Sequence, residues 1–214
     1  KKGRKPLILT GARQVGKTWL MQEFGRREYS KTLYVNFDLD ERLQGLFDHD
    51  YDIPRILMTL QALTGVKATP GDTLIIFDEI QEVSRGLGVL KVDMLAVHPL
   101  DFEEFLAAVA GEGMVNLLKS HDWDMISVLK EKYIELLRQY YYVGGMPEVV
   151  SAFIEDHDLK EVRRLQNTIL ETYSNDVSKH APKNDVQRIM MVMQSIPSQL
   201  SKENKKFIYG VVKK

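Results

Sequence analysis

Pro6-Leu7-Ile8-Leu9-Thr10-Gly11-Ala12-Arg13-Gln14-Val15-Gly16-Lys17-Thr18-Trp19-Leu20-Met21-Gln22-Glu23-Phe24 sets an apolar run, a glycine-bounded loop and the start of a helical pattern one after another. Pro6 to Thr10 reads as a short buried strand and Trp19 onward as a helix, so Gly11 to Thr18 is a strand-to-helix turn. There the unpaired N–H groups of the helix N-terminus present partial positive charge. The loop has the spacing G-x-x-x-x-G-K-[ST], and each part answers a need of polyphosphate binding. Gly11 and Gly16 supply backbone angles that a Cβ would forbid. Ala12, Arg13, Gln14 and Val15 carry the main chain that cradles the phosphates. Lys17 is expected to reach the β- and γ-phosphates, and the Thr18 hydroxyl to ligate Mg²⁺. A chance match to the four fixed positions would occur in roughly one chain in a hundred of this length, given average glycine usage.

Working outward, a second segment makes the match specific. Leu74-Ile75-Ile76-Phe77-Asp78-Glu79 is an unbroken apolar run ending in two carboxylates, the pattern of a buried parallel strand that delivers acids at its C-terminal edge. Asp78 is expected to hold Mg²⁺ through its water shell, and Glu79 to polarise the attacking water as general base. Between the two motifs, Thr32 to Asp38 reads as another strand, Ile53 to Leu63 as a helix, and Pro70-Gly71-Asp72 as a turn. Strand, helix, strand, helix, strand implies an α/β fold with a parallel sheet and right-handed crossovers.

After Glu79 there is room for one short helix, Arg85 to Leu90, and one short strand, Lys91 to Val97, before the acidic-aromatic stretch Pro99 to Phe105. From Phe102 onward the chain reads as helices: Glu103 to Val109, Met125 to Tyr142, Glu148 to Ile154 and Leu159 to Tyr173, with Gly144-Gly145 and Asp156-His157-Asp158 as breaks. Asp185 to Met193, Pro197 to Leu200 and Phe207 to Val212 have the helix, helix, strand rhythm of part of a winged helix. The expected organisation is a P-loop nucleotide-binding domain over residues 1–100 with a boundary near Asp101, a helical lid over 101–183, and a partial winged helix over 184–214.

The 214 residues are 44% hydrophobic and 28% charged with a formal net charge of -1, which suits a soluble globular chain and gives no global electrostatic argument for nucleic acid. No apolar stretch approaches bilayer-spanning length, and Lys1-Lys2-Gly3-Arg4-Lys5-Pro6 lacks the apolar core of a signal peptide, so the expected location is cytoplasmic without membrane contact. The absence of cysteine excludes disulfides and thiolate chemistry. Both ends read as trimmed.

Taken together, Gly11 to Thr18, Phe77-Asp78-Glu79-Ile80-Gln81, Pro99 to Phe105, Tyr142-Val143-Gly144-Gly145-Met146-Pro147-Glu148 and Asp176-Val177-Ser178-Lys179-His180 resemble the prokaryotic AAA-type ATPases that carry a C-terminal domain of unknown function. These are relatives of the archaeal ATPases within the signal-transducing ATPase group. The resemblance implies a nucleotide-binding domain, a helical lid, a winged helix and a further nuclease-like domain. It also implies that Gly145-Met146-Pro147 is a Gly-x-Pro lid motif whose Pro147 touches the base. A helix-breaking turn explains the same triplet without a ligand. Two departures stand out. The family's additional strand with its polar sensor residue has no counterpart, which places a missing segment near Leu90 and Lys91, and the nuclease-like domain is almost wholly absent.

Other residues admit competing readings. His121, Asp122 and Asp124 have the residue types of a metal site but the spacing of a solvated loop. Tyr140, Tyr141 and Tyr142 could stack on bases, or pack as core beside Leu136 and Leu137. Lys202, Lys205, Lys206, Lys213 and Lys214 would suit a DNA backbone, although a solvated surface is the favoured reading, since Lys is the commonest exposed residue. Arg163 and Arg164 could act as a finger on a neighbouring subunit's nucleotide, which would require a homo-oligomer, or form surface ion pairs. The expected activity is Mg²⁺-dependent ATP hydrolysis that moves a lid and winged helix. The alternatives are a nucleotide-dependent switch or DNA-binding module with little hydrolysis, and a regulator of an associated nuclease-like domain.

Overall fold

A computed structural model describes residues 5–48, 51–83, 92–202, 207–208 and 210. The chain divides into two compact units, Lys1–His98 and Pro99–Lys214.

In the first unit, strand β1 (Leu7–Thr10) leads through the glycine-bounded loop into helix α1 (Lys17–Glu28). Strand β2 (Lys31–Asn36), a 3-10 turn at Glu41–Leu43, helix α2 (Ile53–Thr64) and strand β3 (Thr73–Asp78) follow, and after a second 3-10 turn at Ile80–Glu82 the unit ends with strand β4 (Asp93–Ala96). All pairings are parallel, as expected, but the sheet comes in two pieces. β1 pairs with β4, Leu7 opposite Asp93, and β2 pairs with β3, Lys31 opposite Thr73 and Asn36 opposite Asp78. Among the described residues no ladder joins β1 to β3, so each ribbon has an edge without a strand partner. The expected junction at Leu90 and Lys91, and the expected helix Arg85 to Leu90, lie outside the described residues.

The alternation of β2 decides what covers each face of its ribbon. Leu33 and Val35 are buried with Phe37, Leu43, Phe47, Ile56 and Leu60 in a core under α2. Thr32, Tyr34 and Asn36 take the opposite face with Leu74, Ile76 and Asp78, and α1 packs there. A Cβ on Gly25 of α1 would lie 2.5 Å from the Thr32 hydroxyl and 3.4 Å from Leu74 Cδ2. Glycine is therefore required inside this helix despite its cost of about 1 kcal/mol. The β1–β4 ribbon is barely covered: Leu7, Met94 and Leu95 are exposed.

The second unit is helical: α3 (Phe102–Ala110), α4 (Glu112–Ser120), α5 (Trp123–Val128), α6 (Lys130–Val143), α7 (Pro147–Asp156), α8 (Leu159–His180) and α9 (Lys183–Leu200). α3 is its pivot. Asp101 accepts from the Glu104 N–H at 2.9 Å while Glu104 accepts from the Asp101 N–H at 3.0 Å, a capping box that fixes the helix start. Phe105 then enters a core with Val149, Val150, Phe153, Val162 and Leu165, and Leu106 a second core with Val115, Tyr133 and Leu136.

Several boundaries differ from expectation. The segment read as one helix from Met125 to Tyr142 is broken at Leu129, whose φ of -102° and ψ of 14° leave the helical region. α4 was not foreseen, and α8 continues past Tyr173 to His180. Asp185 to Met193 and Pro197 to Leu200, expected as separate helices, form one helix through Pro197. Pro197 has no N–H to give its preceding turn, and the hydroxyls of Ser195 and Ser198 donate to the carbonyls of Val192 and Ser195 at 2.7 and 2.9 Å. Those bonds add to the backbone ladder on either side of Pro197. Of the expected strand Phe207 to Val212, Phe207, Ile208 and Gly210 are described and none of them lies in a strand, while residues 209, 211 and 212 lie outside the described residues.

Candidate functional site

The loop between β1 and α1 takes its shape from two glycines and one buried anchor. Gly11 has φ +144° and Gly16, which caps α1, has φ +86°, both outside the range that L side chains favour. Gln14 also has positive φ, and Val15 is buried beneath the loop. Gly11 is required twice over, because a Cβ there would lie 2.1 Å from the carbonyl oxygen of Val97 at the end of β4. Lys17 folds back over the loop and donates to the carbonyls of Gly11 and Ala12 at 3.0 and 2.6 Å. Its ammonium thus stands against the start of the loop, at Gly11 and Ala12.

β3 brings the acids to the same place. Asp78, separated from Thr18 by 60 positions in sequence, accepts from the Thr18 hydroxyl at 2.8 Å through Oδ2. Asp78 is buried, 7% exposed, which a carboxylate tolerates when its oxygens are satisfied. The Tyr34 hydroxyl donates to the same Oδ2 at 2.8 Å, and Oδ1 accepts from the Glu79 N–H at 3.1 Å. Burial pushes the Tyr34 phenol up, the Asn36 side chain opposes this, and the neighbouring Asp78 carboxylate adds to it, so the phenol keeps its proton and remains a donor. Asn36 spends its oxygen on the N–H groups of Asp38 and Leu39, closing the turn after β2.

Glu79 follows in a left-handed conformation, φ +53° and ψ +35°, and opens the Ile80–Glu82 turn. Its Oε2 accepts from the Gln81 side-chain amide. The structure therefore brings Lys17, Thr18, Asp78 and Glu79 to one end of the first unit. Tyr34 and Gln81 were not singled out in the sequence. For Tyr34 the signal was the strand phase: with Leu33, Val35 and Phe37 facing the core, Tyr34 lies on the face of Asp78 and one pair away from it along the ladder.

The hard oxygen donors of Thr18 and Asp78, brought into contact by the fold, are of the kind Mg²⁺ prefers. Among the described residues no cluster of three or more His, Cys, Asp or Glu side chains could hold a metal by itself, so such an ion would draw on the phosphates of a ligand as well.

Pro147 belongs to the second unit, where local structure accounts for the whole triplet. Gly144 ends α6 with φ +76°, a Cβ on Gly145 would lie 2.0 Å from the Leu100 carbonyl oxygen, and Pro147 opens α7. The Leu100 N–H donates to the Gly145 carbonyl at 2.7 Å, and the Tyr140 hydroxyl to the Leu100 carbonyl at 2.9 Å. The remaining candidates also have local partners. Tyr140 packs its ring on Phe102 and Phe105, while Arg163 lies 5.0 Å above the Tyr142 ring. Arg164 forms an ion pair with Glu161. His121 ends α4, and Asp122 caps α5 by accepting from the Met125 N–H at 3.1 Å. Lys202 is exposed, and Lys205, Lys206, Lys213 and Lys214 lie outside the described residues. No helix among the described residues is long and apolar enough to cross a membrane.

Comparison with known families gives two separate matches. Residues 3–92 match the model described as AAA domain, and residues 134–214 match one described as Domain of unknown function (DUF8612). Neither curated proteins nor solved structures give a match. The pair of domains is that of an AAA-type ATPase with a C-terminal domain of unknown function, and its AAA domain indicates nucleotide-binding ATPase activity.

Proposed function

Starting from an AAA domain followed by a domain of unknown function, we propose that the first unit binds ATP with Mg²⁺ and hydrolyses its terminal phosphate. The observation that carries this reading is the 2.8 Å hydrogen bond between Thr18 and Asp78, which joins the phosphate loop to the acidic strand end. Thr18 donates its hydroxyl hydrogen bond to Asp78 and so leaves its oxygen lone pairs for Mg²⁺, whose charge would offset that developing on the phosphates. The first turn of α1 supplies backbone donors to the phosphates. Lys17 exchanges the carbonyls of Gly11 and Ala12 for phosphate oxygens, trading two neutral acceptors for charged ones. Glu79 takes the proton of the attacking water once its carboxylate is free of Gln81.

In this reading Pro147 and the helices around it form the lid that meets the base, and the helix at 183–200 belongs to the element that moves with hydrolysis. DNA contact through a winged helix and assembly into a homo-oligomer are further extensions of the same reading. One observation favours the nucleotide-dependent switch instead. The Glu79 carboxylate accepts from the Gln81 side-chain amide, a contact that must break before it can act on water and that suits binding without rapid turnover.

The test compares Lys17→Ala with Glu79→Gln in nucleotide binding and steady-state turnover. Lys17→Ala is expected to abolish binding or weaken it severely, and Glu79→Gln to retain binding and lose turnover, because only the second removes a group needed mainly in the transition state. Equal loss of binding in both variants would remove the role given to Glu79. Turnover unaffected by Glu79→Gln would do the same.

A further inference from the structure

Asp78 Oδ2 receives two hydroxyl donors from different elements: Thr18 at the start of α1 and Tyr34 in the middle of β2, each at 2.8 Å. The two donors have different prospects. Thr18 is an exposed residue of the phosphate loop whose oxygen has a second task when nucleotide is present, whereas Tyr34 comes from a strand locked by its ladder to β3, Tyr34 opposite Ile76. A carboxylate held by one donor can rotate about its terminal torsion, which is broad and roughly two-fold. In Asp78 the Glu79 N–H holds Oδ1 at 3.1 Å, and a donor from a rigid strand on Oδ2 restrains the torsion from the other side even when Thr18 turns to its second task.

We infer that Tyr34 is a positioning residue for the divalent-cation site, holding the Asp78 carboxylate in the orientation that presents it to Mg²⁺ when the loop is engaged with phosphate. The inference rests on the nucleotide reading above and assigns Tyr34 no contact with substrate. A donor also draws charge from the carboxylate and weakens its pull on a cation. Orientation outweighs this because a site must be held to within about 0.5 Å to act, and the Asn36 amide, 3.5 Å from the Tyr34 oxygen, steers the hydroxyl toward Asp78. β1 and β3 share no ladder among the described residues, so the carboxylate's aim at the loop rests on its own donors, the Thr18 and Tyr34 hydroxyls on Oδ2 and the Glu79 N–H on Oδ1.

Tyr34→Phe deletes one oxygen and keeps the ring that packs beneath α1, so the fold is expected to persist. Two affinities are measured on wild type and variant: ADP without metal in excess chelator, by calorimetry, and Mn²⁺ on the protein–ADP complex, by electron paramagnetic resonance. Tyr34→Phe should weaken Mn²⁺ about tenfold, the scale of one hydrogen bond to a charged group, and leave metal-free ADP within about twofold on the same scale. A variant that binds Mn²⁺ as well as wild type or better overturns the inference. So does a variant in which metal-free ADP weakens as much as Mn²⁺, because that is the mark of a general structural role. If wild type itself binds neither ADP nor Mn²⁺–ADP, the nucleotide reading fails first, and the inference falls with it.

Discussion

Gly11→Ala tests whether the phosphate loop and the end of β4 are fitted to each other. Two costs can be separated. Backbone angles reserved for glycine cost another residue about 1–3 kcal/mol, and Gly11 has φ +144°. The new Cβ would also lie 2.1 Å from the Val97 carbonyl oxygen, a residue tied down by its own N–H, which donates to the Thr10 carbonyl at 2.7 Å. Relieving that overlap needs a backbone shift in the loop or in β4, for about 1–3 kcal/mol more. The expected loss is about 4 kcal/mol in all, a large part of the stability of an ordinary domain, and near 20 °C in melting temperature for a unit of about 100 residues. Gly71→Ala is the control. Gly71 has φ +83° with nothing within 4 Å of its would-be Cβ, so strain alone applies and the cost is about 1–2 kcal/mol. Both variants are melted in a Trp123→Phe background, so that Trp19 on α1 reports the first unit. Equal shifts for the two variants would refute the claimed contact between the loop and Val97.

In the second unit, Gly145→Ala should destabilise by about 3 kcal/mol through overpacking against the Leu100 backbone; denaturant unfolding checks this, and a midpoint near that of wild type counts against the packing. Glu23 offers a pH test. Hydrogen bonds from Arg26 and then Arg27 hold its carboxyl down at about 2 from an ordinary 4.5. A carboxyl lowered on folding contributes stability above its unfolded value and loses it as pH falls from there through the folded value. The melting-temperature difference between wild type and Glu23→Gln should therefore be constant above about pH 5 and shrink toward pH 2. A difference independent of pH across that window would contradict the assignment.

What could be read from the sequence was what is encoded locally. The loop from Gly11 to Thr18 and the strand ending at Asp78 each carry their chemistry within eight residues, so no tertiary information was needed to find them. Pro99 to Phe105 was legible as a unit, although its three acids proved to have different tasks, Asp101 and Glu104 in the capping box and Glu103 in an ion pair with Lys119. Tyr34 was not legible, because its contact with Asp78 depends on the register of two strands separated by α2. Helix α4 went unread: Gly111 and Gly113 at its start weaken the helical pattern, although Met114, Val115 and Leu118 have helical spacing and Val115 is buried. The continuity of α9 was hidden by Pro197, which reads as a helix start although the helix runs through it.

The division of the parallel strands into two ribbons bears on the thermodynamics of the site. The phosphate loop hangs from β1 and the acids from β3, and these strands share no ladder among the described residues. Their alignment is carried by α1 and by the Thr18–Asp78 hydrogen bond. A ligand that grips both the loop and the acids would then stiffen the first unit as a whole. Ordering of this kind has a calorimetric signature: an unfavourable entropy and a heat-capacity decrease larger than the ligand's own buried surface accounts for. Amide protons in β1 and β3 would slow their exchange with solvent on binding, even where they never touch the nucleotide.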